Sequence, residues 1–157
     1  MKIKIWSVGK ANEPYVKAGI ELFTNRISHY YPIDWKIISS PKTALAQSIN
    51  DVRKIESENI LRLLKTEDML IVLDEKGNQI SSEQLASFIQ KKANESVKDI
   101  TFLIGGAYGF NEGLKKRANL LWSLSPLVFP HQLVRLILAE QIYRACTIIK
   151  NEKYHHS

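Results

Sequence analysis

Two apolar runs constrain this chain more than any other feature: MLIVL at 69–73, which is unbroken, and ITFLIG at 100–105. A strand with one face in water alternates apolar and polar residues, whereas a strand covered on both faces has no need to. Both runs therefore predict strands inside a sheet that carries helices above and below. The segments around them alternate as such a sheet requires. KIKIWSV (2–8) reads as a strand. Pro14 stands in the first turn of a helix with apolar positions Val16, Ile20, Phe23 and Ile27, and DWKIIS (34–39) is a second strand. A long amphipathic helix is expected from Ala44 to Lys65, built on Leu45, Ile49, Val52, Ile55, Ile60 and Leu63. DEKGNQ then reads as a turn. Ser81 or Ser82 starts a helix through Asn94, with Ser82 and Leu85 making only part of a capping box. A short helix follows from Asn111, then a strand at LLWSLS, and a last helix from His131 to Lys150 precedes the polar tail EKYHHS. The expected fold class is α/β, a mostly parallel sheet with helices on both faces, and 157 residues suffice for one domain with a real core.

Composition removes several classes. Hydrophobic residues at 45% and charged residues at 24% are ordinary for a globular protein and argue against disorder. MKIKIWSVGK alternates charged and apolar residues, unlike a secretory signal, and no stretch has the apolar length to cross a bilayer. A cytoplasmic protein without a membrane partner is expected. The lone Cys146 excludes an intrachain disulfide and any CxxC-type site, so no metal is expected. Lysine and arginine total 22 against 16 acidic residues, a formal +6, which suits a polyanionic partner.

Three segments carry candidate chemistry. In LIGGAYGF (103–110) a buried strand runs into Gly105 and Gly106, with Gly109 three residues on. Glycines there let a ligand approach the backbone, beyond the carboxyl end of a strand where α/β sheets bind ligands. The glycines alone are equally compatible with a tight turn and no ligand. Neither a GxGxxG fingerprint nor a phosphate-binding Gly-Lys-Ser/Thr is present. WSLSPLVFPH (122–131) is a second candidate. Its two prolines shape a loop of open backbone lined by Leu124, Leu127 and Phe129, suited to a flat, partly apolar ligand or simply to capping the core. The third is the last helix, in which 12 of the 20 residues 131–150 are apolar and spread around the axis. Such a helix is either central or packed against a second copy of the chain. His131 and Arg135 lie on one side of it, with Glu140, Arg144 and Thr147 opposite, and Glu140 stands in the favourable orientation to pair with Arg144.

Together these segments resemble the family of ribosomal RNA large-subunit methyltransferases that modify a pseudouridine at N3, within the SPOUT superfamily. The resemblance covers the whole chain as a single domain, residues 1–157. It runs through KIKIWSVGK, LIVLDEKG, FLIGGAYGF, WSLSPLVFPHQLVRLILAEQIYRA and the closing YH. It implies S-adenosylmethionine as methyl donor, 23S rRNA in the assembled ribosome as substrate, a homodimer, and a trefoil knot in the C-terminal half. Carried over by position, the cofactor pocket falls on Leu73, Gly105, Leu124, Ser125, Pro126, Leu127, Val128 and Phe129, with Gly106 and Gly109 completing the glycine loop. Ala107 and Tyr108 replace the usual small residues, and Tyr108 is expected to narrow the pocket mouth. Arg144 is assigned as the cation that stabilises the substrate ring anion, with Arg135 the second cation. Tyr154 and His155 are assigned to the target base, and His131 is a further base candidate. Two other readings remain open: a nicotinamide-dependent enzyme of ordinary doubly wound topology, and a ribosome-binding factor without catalysis.

Overall fold

The computed structural model describes residues 1–40 and 48–155. Five strands, β1 (Lys2–Val8), β2 (Ile33–Ile38), β3 (Met69–Gln79), β4 (Asp99–Ile104) and β5 (Leu120–Ser123), form one sheet in the order β2-β1-β4-β3-β5. Every pairing is parallel. The helices are α1 (Pro14–Ile27), α2 (Ile49–Leu63), α3 (Ser82–Asn94), α4 (Glu112–Arg117) and α5 (His131–Ile149), and a 3-10 turn closes at Lys153–His155.

The direction of each crossover decides which face a helix covers. From β1 to β2 and from β3 to β4 the chain steps one way across the sheet; from β2 to β3 and from β4 to β5 it steps the other way. Parallel crossovers are right-handed, so α1 and α3 must share one face and α2 and α4 the opposite face. The packing agrees: α5 lies between α1 and α3, while α2 contacts α4. Two cores result. Ile3, Ile5, Ile71, Ile100 and Phe102 meet Leu138 and Ile142 of α5 on one side. Trp6, Val8, Leu70, Val72 and Leu103 meet Ile60 and Leu114 on the other. This double coverage is the reason the runs at 69–73 and 100–105 need no alternation.

The last helix is central. Leu138, Ala139, Ile142, Ala145 and Cys146 are fully buried within this one chain, so much of its all-round apolar character is used internally. Gly19 of α1 admits the close approach, since a Cβ there would lie 2.5 Å from Leu136 Cδ1. Burial pushes the Cys146 thiol up to about 12. It is therefore expected to stay unreactive toward a thiol reagent at pH 8 in the native protein and to react stoichiometrically in denaturant. Rapid native labelling would contradict that packing.

Four local expectations change. The helix expected over 44–65 is observed as Ile49–Leu63: extended Ser48 caps it by accepting from Asp51 N, and residues 44–47 lie outside the described residues. DEKGNQ is not a turn, because β3 continues to Gln79. Leu73 and Asn78 both align with Trp122 of β5, so residues 74–77 arch out of register between two paired segments. The helix cap is Ser81, and its capping box is complete, because the third residue on is Gln84. The strand at LLWSLS stops at Ser123. There the Ser123 hydroxyl donates to the Ser125 carbonyl and Leu127 N donates to Ser125 Oγ, which turns the chain.

Candidate ligand cleft and its clamps

The arch in β3 and the loops after β4 and β5 converge at the carboxyl end of the sheet and enclose a cleft of about 790 Å³. That volume lies in the range of small-molecule sites. Of the ten residues expected to bind a cofactor, nine line it: Leu73, Gly105, Gly106, Gly109, Leu124, Ser125, Leu127, Val128 and Phe129. Pro126 is exposed and not in the lining. The apolar floor comes from Leu73, Ile104, Trp122 and Leu124. Leu127 and Val128 are 70% and 77% exposed, so they form an apolar lip, which a bound ligand would cover.

Helix α2 holds the glycine loop in place, a role that sequence reading missed. Arg53 Nε donates to the Tyr108 carbonyl at 2.6 Å, and Ser57 Oγ accepts from Asn111 N at 3.0 Å. Between these contacts the buried Glu56 lies against Gly106, where a Cβ would approach both carboxylate oxygens to 3.3 Å. Burial raises the Glu56 carboxyl above its usual range, although Ser40 Oγ donates to it at 2.9 Å. Gly105 backs onto Phe110, with 3.0 Å from a Cβ to its ring, and Gly109 has a φ of +71°, which favours glycine. Tyr108 is half exposed and lines the cleft.

The arch 74–77 forms the opposite wall. Asp74 accepts from Lys76 N at 2.8 Å and pairs with Lys115 of α4 at 3.1 Å. Asp74, Glu75, Lys76 and Lys115 thus bring both signs of charge to one side of the cleft. Asp74, Glu75 and Lys76 adjoin one another in LIVLDEKG, but Lys115 joins them only when α4 packs beside the arch.

The expected polar residues divide. His131, the first residue of α5, lines the cleft. Arg135 does not reach it and is 1% exposed. Its Nε donates to Ser7 Oγ at 2.7 Å, and its Nη1 donates to the Lys10 carbonyl at 2.8 Å and to Asn12 Oδ1 at 3.0 Å. Arg135 therefore staples α5 to the β1–α1 loop, where a cation for substrate had been expected. Gln132 adds to the staple through Ala11 O and Glu13 N. Arg144 and Tyr154 lie together farther along α5. Arg144 donates to Glu140 Oε1 from Nε at 3.0 Å and from Nη2 at 2.6 Å, and Glu140 raises its pKa. The tail is not loose at Tyr154: its ring is 4.7 Å from that of Tyr143, and its hydroxyl donates to Glu140 at 3.2 Å. His155 closes the 3-10 turn. Among the described residues there is no cluster of three metal-ligating side chains, and no helix long and apolar enough to cross a membrane.

Comparison with known proteins assigns this architecture. Residues 1–155 match the family described as "Predicted SPOUT methyltransferase". The chain is 47% identical over 157 residues to a ribosomal RNA large subunit methyltransferase H from Cytophaga hutchinsonii, covering 99% of this chain and all of the relative. It is 43% identical to the protein of that name from Geobacter metallireducens, with both chains fully covered, and 40% identical to that from Parabacteroides distasonis over 99% of each. An ordinary nicotinamide-binding reading is thereby set aside. A glycine loop clamped under a parallel sheet, a two-proline loop opposite it, and full-length similarity at this level lead to one assignment: the chain belongs to the SPOUT methyltransferase family, among the ribosomal RNA large subunit methyltransferase H proteins.

Proposed function

We propose that this chain, as a single methyltransferase domain over residues 1–157, methylates N3 of a pseudouridine in 23S rRNA of the assembled ribosome. The observation that carries the reading is the convergence of the β3 arch and the loops after β4 and β5 on one cleft, in a chain of this family. SPOUT methyltransferases use S-adenosylmethionine, and the lining fits it. Leu73, Leu124 and Phe129 offer apolar surface to an adenine, and the glycine loop leaves backbone open to close approach. The carboxylates and lysines of Asp74, Glu75, Lys76 and Lys115 suit the zwitterionic amino-acid end.

When bound, S-adenosylmethionine supplies an electrophilic methyl group on a sulfonium. The protein has to align the accepting nitrogen with that methyl, exclude water and remove the N3 proton. His131 is the imidazole of the lining and a candidate proton acceptor, with His155 and Tyr154 the candidates from the tail. Arg144 is the candidate cation for the ring anion, held in orientation by Glu140.

The spacing of these groups favours a homodimer. His131 and Arg144 are 13 residues apart on α5, about 20 Å at 1.5 Å per residue, too far to act on one base within a single copy. A second copy supplying Arg144 and the tail to the cleft removes the discrepancy. The C-terminal trefoil knot belongs to the same reading. It is supported by the path of residues 124–130 from edge strand β5 back to α5, which lies between α1 and α3.

The test is transfer of labelled methyl from S-adenosylmethionine to ribosomes from a strain lacking the gene, followed by nucleoside mass analysis. A methylated pseudouridine is expected. Arg144→Ala and His155→Ala are each expected to lower turnover by at least about 100-fold. A variant with unchanged turnover removes that residue from the mechanism. Ribosome binding without label transfer replaces the catalytic reading with that of a binding factor.

A further inference from the structure

Arg26 stands in the last turn of α1, beside the aromatic surface of α5. Its guanidinium carbon is 5.4 Å from the ring centroid of Tyr143 and 5.9 Å from that of Phe23. Tyr143 in turn packs on Tyr154, whose ring lies 5.0 Å from the Arg144 guanidinium. Two cations and three aromatic rings thus share one surface at the end of α5 that carries the tail. The cations are not equivalent. Arg144 is held by the Glu140 carboxylate. Among the described residues, no carboxylate, carbonyl or other acceptor takes up any N–H of the Arg26 guanidinium. The Tyr154 hydroxyl is raised by burial and by Glu140, while Arg144 and Arg26 lower it, so the field of Arg26 reaches the tail.

We propose that Arg26 binds a backbone phosphate of the RNA substrate, flanking the nucleotide that Tyr154 contacts. The inference rests on the reading of this chain as an rRNA methyltransferase and adds a substrate contact to it. A guanidinium lying over aromatic faces keeps its planar fork available, and that fork matches two phosphate oxygens. Aromatic rings beside it are suited to stacking an unpaired base. The net +6 of the chain supplies the attraction over longer range. The competing account makes Arg26 only a cation at a helix C-terminus, packed on rings for stability. That account predicts no change in how binding depends on salt.

Salt titration separates the two. Full-length wild type, Arg26→Gln and Arg26→Lys are compared for methyl transfer to unmodified ribosomes and for ribosome binding across a potassium chloride series. S-adenosylmethionine affinity, Tm and molecular mass in solution are measured in parallel. For Arg26→Gln, KM for ribosomes is expected to rise about tenfold, with kcat within about twofold and cofactor affinity unchanged. Its slope of log K against log salt should flatten by about 0.7–0.9, the loss of one phosphate contact. Arg26→Lys should restore the slope and only part of the affinity, because a lysine lacks the fork. An unchanged slope in Arg26→Gln overturns the proposal, and so does a loss of binding that merely follows a lower Tm or a changed mass. Wild-type protein that binds ribosomes without methylating them defeats the functional reading instead, and the salt slope still decides Arg26. Wild-type protein that binds no ribosomes overturns both.

Discussion

Gly77→Ala is expected to weaken S-adenosylmethionine binding by at least about tenfold and to lower Tm by several degrees. An added Cβ would lie 2.6 Å from both the carbonyl carbon and oxygen of Leu121, and 2.7 Å from Trp122 N. These are backbone atoms of β5, so no side chain can swing aside to make room. Overpacking of this kind costs about 1–3 kcal/mol, and a clash against backbone belongs at the upper end. The relief available is for the 74–77 arch to move off β5, and that carries Asp74 and Lys76 away from the cleft wall. Gly109→Ala is the useful contrast. Nothing lies within 4 Å of a Cβ there, so its cost is the left-handed backbone alone, about 1–2 kcal/mol. Calorimetric titration with the cofactor and thermal denaturation distinguish the two. If Gly77→Ala binds as well as wild type, the arch is not a wall of the site.

Arg135→Ala is expected to destabilise the fold by about 2–4 kcal/mol, from the cavity left by a large buried side chain and from acceptors left without their donor. The change empties the volume of a fully buried side chain and leaves the buried Ser7 hydroxyl and the Lys10 carbonyl without their donor. For a domain of this length the loss corresponds to roughly 10 °C in Tm, read at fixed protein concentration if the protein is a dimer. Arg135→Met refills the space but not the hydrogen bonds, so it should recover part of the loss. A substrate-binding arginine would behave differently: Tm would hold, and KM for ribosomes would rise. Urea denaturation of both variants beside methyl-transfer kinetics decides between these outcomes.

Much of the fold was legible because it rests on local pattern. The apolar runs at 69–73 and 100–105, Pro14 in the first turn of α1, and the breaks at Gly105 and Pro130 each declare themselves within a few residues. The glycine loop and the two-proline loop stood out for the same reason, and nine of ten expected cofactor residues line one cleft. Expectations failed where a distant partner decided the outcome. DEKGNQ has turn composition, yet Asn78 and Gln79 pair again with β5 after the 74–77 arch, so the strand resumes where a turn was expected. His131 and Arg135 share a side of α5 in the sequence pattern, yet one lines the cleft and the other is consumed by Ser7, Lys10 and Asn12 more than a hundred residues earlier.

Arg53, Asp74 and Lys115 illustrate the same division. Each is an ordinary charged residue, and nothing about its neighbours in the chain names the partner it takes in the fold. The periodicity and turn residues of this sequence are enough to specify which segments become strands, helices and loops, since those choices depend on side chains within a few residues of one another. The pairing of Arg53 with the glycine loop and of Asp74 with α4, and the sequestering of Arg135, depend on strand order and on which face each crossover covers. Those are properties of the packed sheet, because long-range burial and hydrogen bonding choose partners that no local window contains.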